Sequence, residues 1–106
     1  LKNLSAGANP MVMRKGIEKA VEELQGKNVY LTIDMDVMDP SIFPGTGTPE
    51  AGGVQFMELL EAVLKLKGLN IVGADINELS PQYDPSGVST AVACKLLREL
   101  LLMLED

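Results

Sequence analysis

Two short apolar runs, each lying between segments of helical periodicity, constrain the fold of this sequence most strongly. VYLTI at 29–33 and IVGAD at 71–75 are rich in β-branched residues and show little polar alternation, as strands covered on both faces do. In the segments around them, apolar residues recur at steps of three and four. The pattern predicts the order αβαβα, with helices over 11–25, 54–67 and 86–104.

The predicted strands are too few to form a sheet of their own. A single βαβ unit leaves both sheet edges unpaired, and parallel strands normally lie inside a larger sheet that helices cover on both faces. No linker or low-complexity tract divides the chain. We therefore predict that it is the terminal portion of a larger doubly wound α/β domain.

Length, charge and cysteine content exclude several classes of protein. The 106 residues suffice for one small domain, and no run of about 18 apolar residues predicts a membrane span. Nine basic against 15 acidic residues give a net charge of −6, which argues against a nucleic-acid surface and is compatible with a cationic ligand. The single cysteine, Cys94, indicates a buried thiol in a reducing compartment. The first residue is not Met, so we expect a piece of a longer chain.

Three acidic residues, Asp34, Asp36 and Asp39, follow the first strand at spacings of two and three. Carboxylates repel one another and are costly to bury without a compensating charge. On an extended backbone Asp34 and Asp36 would point to the same side, where both could reach one metal ion or a pair. Alternatively, Asp39 turns the chain before Pro40 while Asp34 and Asp36 are solvated loop acids. The spacing leaves both interpretations open.

A faint internal repeat brings Glu78 into consideration. LQGKNV at 24–29 and LKGLNI at 66–71 match at an offset of 42 residues, and at this offset Glu78 corresponds to Asp36. Ligands of open α/β sheets bind beyond the C-terminal ends of the strands, so Asp34, Asp36 and Glu78 could line one pocket. Glu78 could equally be an exposed turn acid.

A longer pattern follows the first strand and consists of TIDMD at 32–36, Pro40, Pro44, Gly45 and Gly53. This pattern resembles the signature of the ureohydrolases, the family of arginase and agmatinase. The loop PGTGTPEAGG and the downstream stretch GADINELSPQYDPSG are most similar to the agmatinase branch, and the resemblance covers about residues 29–103. It implies the C-terminal αβαβα portion of a three-layer α/β/α domain with a mostly parallel sheet. Residues 1–106 would then be a fragment of a single ureohydrolase domain.

In that family the domain carries a binuclear manganese centre that hydrolyses a guanidino group and releases urea. By the resemblance, Asp34 corresponds to the ligand that bridges both ions, and Asp36 corresponds to a ligand of one ion. Glu78 corresponds to the acid that binds the guanidinium of the substrate. The implied reaction is agmatine to putrescine and urea, in cytoplasmic polyamine biosynthesis, with arginase and guanidinobutyrase activities as alternatives. Family members commonly form trimers or hexamers, so a homo-oligomer is implied.

The sequence departs from the family pattern in having no histidine. The family's other metal ligands lie in a Gly-Gly-Asp-His element and an Asp-Ala-His-x-Asp element, both N-terminal to the portion resembled here. We therefore expect half a metal site, and no activity from this chain alone.

Two other classes stay open at this point. A phosphoryl-transfer enzyme of the haloacid dehalogenase type also places Asp-x-Asp after a strand, although its usual Thr after the motif is missing here. A non-catalytic module, in which the sheet edge only mediates assembly, would tolerate substitution of Asp34 or Asp36.

Overall fold

The regular elements of the protein follow the predicted order αβαβα. A computed structural model describes residues 10–105, so the predicted domain bounds, 1–106, extend beyond the described residues at both ends. The elements are α1 Pro10–Glu23, β1 Asn28–Asp34, α2 Phe56–Leu64, β2 Asn70–Asn77 and α3 Val88–Leu104. Two short 3-10 helices, Met35–Val37 and Pro81–Tyr83, follow the strands and were not predicted.

Helix α2 starts at Phe56, two residues after the predicted start of 54–67, because a cap and not apolar periodicity sets its first residue. The Gln55 amide donates a 3.0 Å hydrogen bond to the Glu58 carboxylate, which is one half of a capping box. Val54 precedes this cap and pairs with Met38 in an isolated parallel bridge. The apolar residue at position 54 therefore belongs to this bridge and not to the helix.

Strands β1 and β2 pair in parallel, with α2 in the connection between them. Side chains alternate along β1: Ile33 is buried and Leu31 is partly buried against the core, whereas Tyr30 and Thr32 are exposed. Ile33 marks the sheet face that carries the helices. In the part of the chain that the structure describes, the opposite face is open, since Tyr30 on it is 61% exposed.

One apolar core joins this sheet face to the helices. Helix α2 packs against α1 and α3, and α3 packs against β2. Leu60, Leu96 and Leu100 are among the buried residues of the core. Removal of such side chains from water is the main favourable term in folding, and it holds the C-terminal ends of both strands in place.

The pairing register differs from the predicted constant offset. Asn28 pairs with Asn70 and Val29 with Ile71, but Tyr30 pairs with Gly73, so Val72 has no partner on β1. This bulge raises the offset from 42 to 43 for the rest of the sheet, and Asp34 pairs with Asn77. The prediction that Asp36 and Glu78 occupy equivalent positions is therefore wrong by one residue.

Helix α3 has a second apolar face that is turned away from the core. With β2 it forms an open groove of about 550 Å³, whose lining includes Leu79, Cys94, Leu97 and Leu101. The expectation of a buried thiol is wrong for the described chain, because Cys94 lies on this outer face and is exposed. An apolar groove of this kind is typical of a surface that another segment covers. Among the described residues, no helix is long and apolar enough to cross a membrane.

Candidate metal centre

Three carboxylates meet at the C-terminal edge of the sheet. Asp34, Asp36 and Glu78 each place one oxygen within 4.8 Å of the others. Asp34 is the last residue of β1, and Glu78 directly follows β2. The three side chains come together as predicted, and the pocket and the roles assigned to them stay predictions.

Asp34 and Asp36 come together through a turn and not along an extended strand. The strand ends at Asp34, and the following residues form a 3-10 helix that Asp34 caps by accepting a 3.1 Å hydrogen bond from the Asp36 amide. The predicted same-side geometry of an extended Asp-x-Asp is therefore wrong in detail. The Thr48 hydroxyl holds Asp36 from the other side, donating a 2.9 Å hydrogen bond to Oδ2.

Glu78 reaches the cluster through an unusual backbone conformation. Its φ is +76°, and it is the one non-glycine residue with positive φ in the part of the chain described. A residue with a Cβ is strained in this region, so neighbouring contacts must impose the conformation. Such strain is concentrated at functional sites, which favours a functional role for Glu78 over that of an ordinary turn acid.

Asp39 has the structural role that the alternative interpretation gave it. Its carboxylate accepts hydrogen bonds of 3.0 Å from the Ser41 amide, 2.9 Å from the Gly52 amide and 3.2 Å from the Gly53 amide. The Ser41 hydrogen bonds are the main reason that the pKa of Asp39 lies below its ordinary value. Asp39 therefore closes the loop that follows β1 and is not part of the acid cluster.

Asp75 is also kept out of the cluster, by hydrogen bonds across the open sheet face. It accepts 2.7 Å and 2.8 Å hydrogen bonds from the hydroxyls of Thr32 and Tyr30, and a further one from the Asn77 side chain. The Thr32 hydrogen bond is the largest cause that lowers the pKa of Asp75. Its carboxylate is thus hydrogen-bonded to side chains of the two strands.

The cluster carries excess negative charge. Burial raises the pKa of the Asp34 carboxyl, and the Asp36 and Glu78 carboxylates raise it further, while the Asp36 amide works in the opposite direction. A carboxyl group whose charged form is disfavoured by its surroundings gains from a nearby cation. The arrangement is therefore suited to a positively charged ligand.

The donor set fits part of a manganese site. Carboxylate oxygens suit Mg²⁺, Ca²⁺ and Mn²⁺, and the three oxygens are close enough to face one ion or a close pair. Imidazole donors would have to come from outside these 106 residues, since the sequence has no histidine. The residues present would supply the anionic ligands of such a centre.

The sequence interpretation missed the residues that brace the cluster. Thr48 lies in the loop PGTGTPEAGG, and its contact with Asp36 depends on how that loop folds back. Asp84 and Ser89, which hold the same loop at Gly45, also received no role. The one signal available was the glycine at position 45, which is consistent with a close backbone approach.

The fold and the acid cluster define an α/β protein with a candidate divalent-metal site at the C-terminal edge of a parallel sheet. Residues 6–103 match the model of the arginase family. The chain is 48% identical over 88 residues to the agmatinase of Halalkalibacterium halodurans, covering 81% of this chain and 30% of that protein. It is 42% identical over 83 residues to the human mitochondrial guanidino acid hydrolase, covering 78% of this chain and 24% of that protein.

Among solved structures, proclavaminate amidino hydrolase from Streptomyces clavuligerus superimposes with a TM-score of 0.80 at 35% identity, covering 86% of this chain and 30% of that one. The chain therefore belongs to the arginase family. It spans only 24–30% of the length of these three relatives. The membership argues against the phosphoryl-transfer alternative, which belongs to a different family.

Proposed function

We propose that this chain is the C-terminal part of a binuclear-manganese ureohydrolase that hydrolyses a guanidino group and releases urea. The observation that carries the proposal is the convergence of Asp34, Asp36 and Glu78 at the ends of two parallel strands in an arginase-family chain. The remainder of the domain would supply the imidazole ligands. We call the longer chain that would contain these residues the full-length protein.

Each acid has a distinct proposed role. Asp34 would bridge both ions and Asp36 would bind one, with Thr48 orienting the Asp36 carboxylate. When bound, two divalent ions would supply Lewis acidity and lower the pKa of a water molecule toward neutral pH. Glu78 would accept hydrogen bonds from the planar guanidinium, for which a carboxylate is the natural bidentate partner. This contact would hold the guanidino carbon beside the ions.

Agmatine is the substrate that we propose within this class. It carries a guanidinium and an ammonium, whereas a guanidino acid carries a carboxylate, and the chain has a net charge of −6. The relative with 48% identity is named an agmatinase, and the human relative, with 42%, is named a guanidino acid hydrolase. The negative net charge of the chain favours the binding of agmatine, which carries two positive charges, over that of a guanidino acid. We further propose a cytoplasmic homo-oligomer, trimeric or hexameric, that acts in polyamine biosynthesis.

The test is urea release by the full-length protein after loading with manganese. Agmatine, arginine and guanidinobutyrate are compared at matched concentrations, and the highest kcat/KM is expected for agmatine. Faster hydrolysis of guanidinobutyrate would move the assignment to a guanidino acid hydrolase. A protein that holds manganese but releases urea from none of the three would refute the ureohydrolase proposal.

A further inference from the structure

A buried acid on the loop after β2 is linked through Ser89 to the loop that carries Thr48. Asp84 is only 6% exposed and accepts four hydrogen bonds, two from Ser86 and two from Ser89. The Ser89 hydroxyl donates to Asp84 at 2.6 Å and accepts a 2.8 Å hydrogen bond from the Gly45 amide. Asp84 and Ser89 thus form a continuous polar link to Gly45, which we call the Asp84–Ser89 clamp.

The clamp leaves no room for a side chain at position 45. A Cβ there would lie 2.7 Å from the Ser89 Cβ and 3.2 Å from the Asp84 Cβ. The other end of the same residue is held as well, because the Gly45 carbonyl accepts a 2.7 Å hydrogen bond from the Ser80 amide. Both backbone polar groups of Gly45 are therefore fixed by the segment that follows β2.

This arrangement connects the clamp to segments on both sides of the acid cluster. Ser80 lies two residues after Glu78, and Gly45 lies three residues before Thr48, which holds Asp36. The Gly45 contacts therefore set the separation of the Glu78 segment from the Asp36 loop. They also anchor the chain next to Glu78, whose strained backbone needs support from neighbouring contacts.

From these contacts we infer that Asp84 and Ser89 are positioning residues for substrate binding. Through Gly45 and Ser80 they hold the Glu78 backbone in its left-handed conformation, and thereby its carboxylate at the correct distance from Asp36. The inference rests on the proposed ureohydrolase function and adds to it a device outside the acid cluster. Supporting residues of this kind matter because small misplacements of a reacting group are costly to activity.

Ser89→Ala in the full-length protein is the direct test, and Ser86→Ala is its matched control. Both variants remove a hydroxyl that donates to Asp84, but only Ser89 contacts Gly45. Because Glu78 would bind the guanidinium in both the ground state and the transition state, its misplacement should raise KM more than it lowers kcat. We expect Ser89→Ala to raise KM for agmatine about 10-fold with full manganese content, and Ser86→Ala to leave KM within about twofold.

A role in folding alone would lower the active fraction, and hence kcat, at constant KM. An unchanged KM in Ser89→Ala, an equal rise in Ser86→Ala, or a loss explained by missing manganese would overturn the inference. Asp84→Asn, which keeps the shape of the side chain, provides the same test if Ser89→Ala does not fold, and a normal KM there is equally decisive. Absence of urea release by the unmodified protein would instead refute the proposed function.

Discussion

The Thr48 hydroxyl donates a 2.9 Å hydrogen bond to Oδ2 of Asp36, joining residues that are 12 apart in the sequence. The contact fixes one oxygen of a carboxylate that belongs to the acid cluster. Partners of this kind orient a metal ligand and are commonly worth about 10–100-fold in metal affinity or activity. Thr48 therefore belongs to the candidate centre although it is not an acid.

Thr48→Val in the full-length protein should weaken the binding of one manganese ion by about 10-fold. Valine keeps the volume of the side chain and removes the donor, so the change isolates the hydrogen bond. Manganese content after dialysis against graded chelator gives the measurement. Thr46→Val is the control, because the buried Thr46 hydroxyl has no hydrogen-bond partner among the described residues. Equal manganese retention in the two variants would remove Thr48 from the centre.

Asp34 and Asp36 should differ in how many ions they hold. Asp34→Asn removes the proposed bridging charge and should lose both manganese ions, whereas Asp36→Asn should lose chiefly one. Asp39→Asn is the control, since Asp39 lies in the same segment but accepts its hydrogen bonds from Ser41, Gly52 and Gly53 of the loop. Metal analysis of dialysed protein distinguishes the three. Unchanged manganese in both Asp34→Asn and Asp36→Asn would end the metal interpretation.

The order of elements and the meeting of the acids were predictable from the sequence because both depend on local patterns. Periodicity located the helices and strands, and parallel strands bring their C-terminal ends to one edge, so Asp34 and Glu78 had to lie near each other. The bulge at Val72 was not predictable. Val72 is β-branched and fits a strand pattern in either register, and it is the packing of the two strands that leaves it unpaired.

The bracing residues could not be predicted, because their partners lie far away in the sequence. Ser89 contacts Gly45 across 44 positions, and nothing near either residue indicates the other. The backbone strain at Glu78 could not be predicted from the sequence either. A left-handed conformation is usually indicated by glycine or asparagine, but here a glutamate adopts it. Tertiary contacts override local preference at this position.

Asp84 should make the stability of the full-length protein sensitive to acid. Hydrogen bonds from Ser86 and Ser89 lower its pKa to about 2, from about 3.9 for an unfolded aspartate. Because the folded pKa is the lower one, the stabilisation is complete above about pH 4 and is lost as the pH falls toward about 2. The denaturant midpoint should fall when the pH is lowered from about 5 to about 3. This fall should be smaller in Asp84→Asn than in the unmodified protein. Equal falls would show that Asp84 contributes nothing in this range.

The isolated 106-residue chain should neither fold as a stable monomer nor release urea. The open sheet face exposes Tyr30 at 61%, and the groove on α3 exposes Leu101 at 57%, so much apolar surface stays in water. A denaturant titration at low protein concentration, with manganese present, should show no cooperative transition. A cooperative monomeric transition would contradict the folding half of the prediction, and manganese-dependent turnover the other half.

Glu78→Gln should weaken substrate binding without loss of metal. The amide keeps the size of the side chain but removes the charge that pairs with the guanidinium, and kcat/KM for agmatine should fall at least about 30-fold. Manganese content should stay at the level of the unmodified protein. Near-normal kcat/KM, or a loss of activity that follows a loss of manganese, would assign Glu78 to another role.

The backbone strain at Glu78 provides an independent readout of the same assignment. Glycine has no Cβ to clash at a φ of +76°, so Glu78→Gly should raise the free energy of unfolding by about 1 kcal/mol while kcat/KM falls as far as in Glu78→Gln. The comparison uses thermal or denaturant unfolding of the manganese-loaded full-length protein. A residue retained for stability would show the reverse, with Glu78→Gly destabilised and its kcat/KM close to normal. A more stable protein that binds manganese and no longer binds agmatine would show that the strain is maintained for substrate binding.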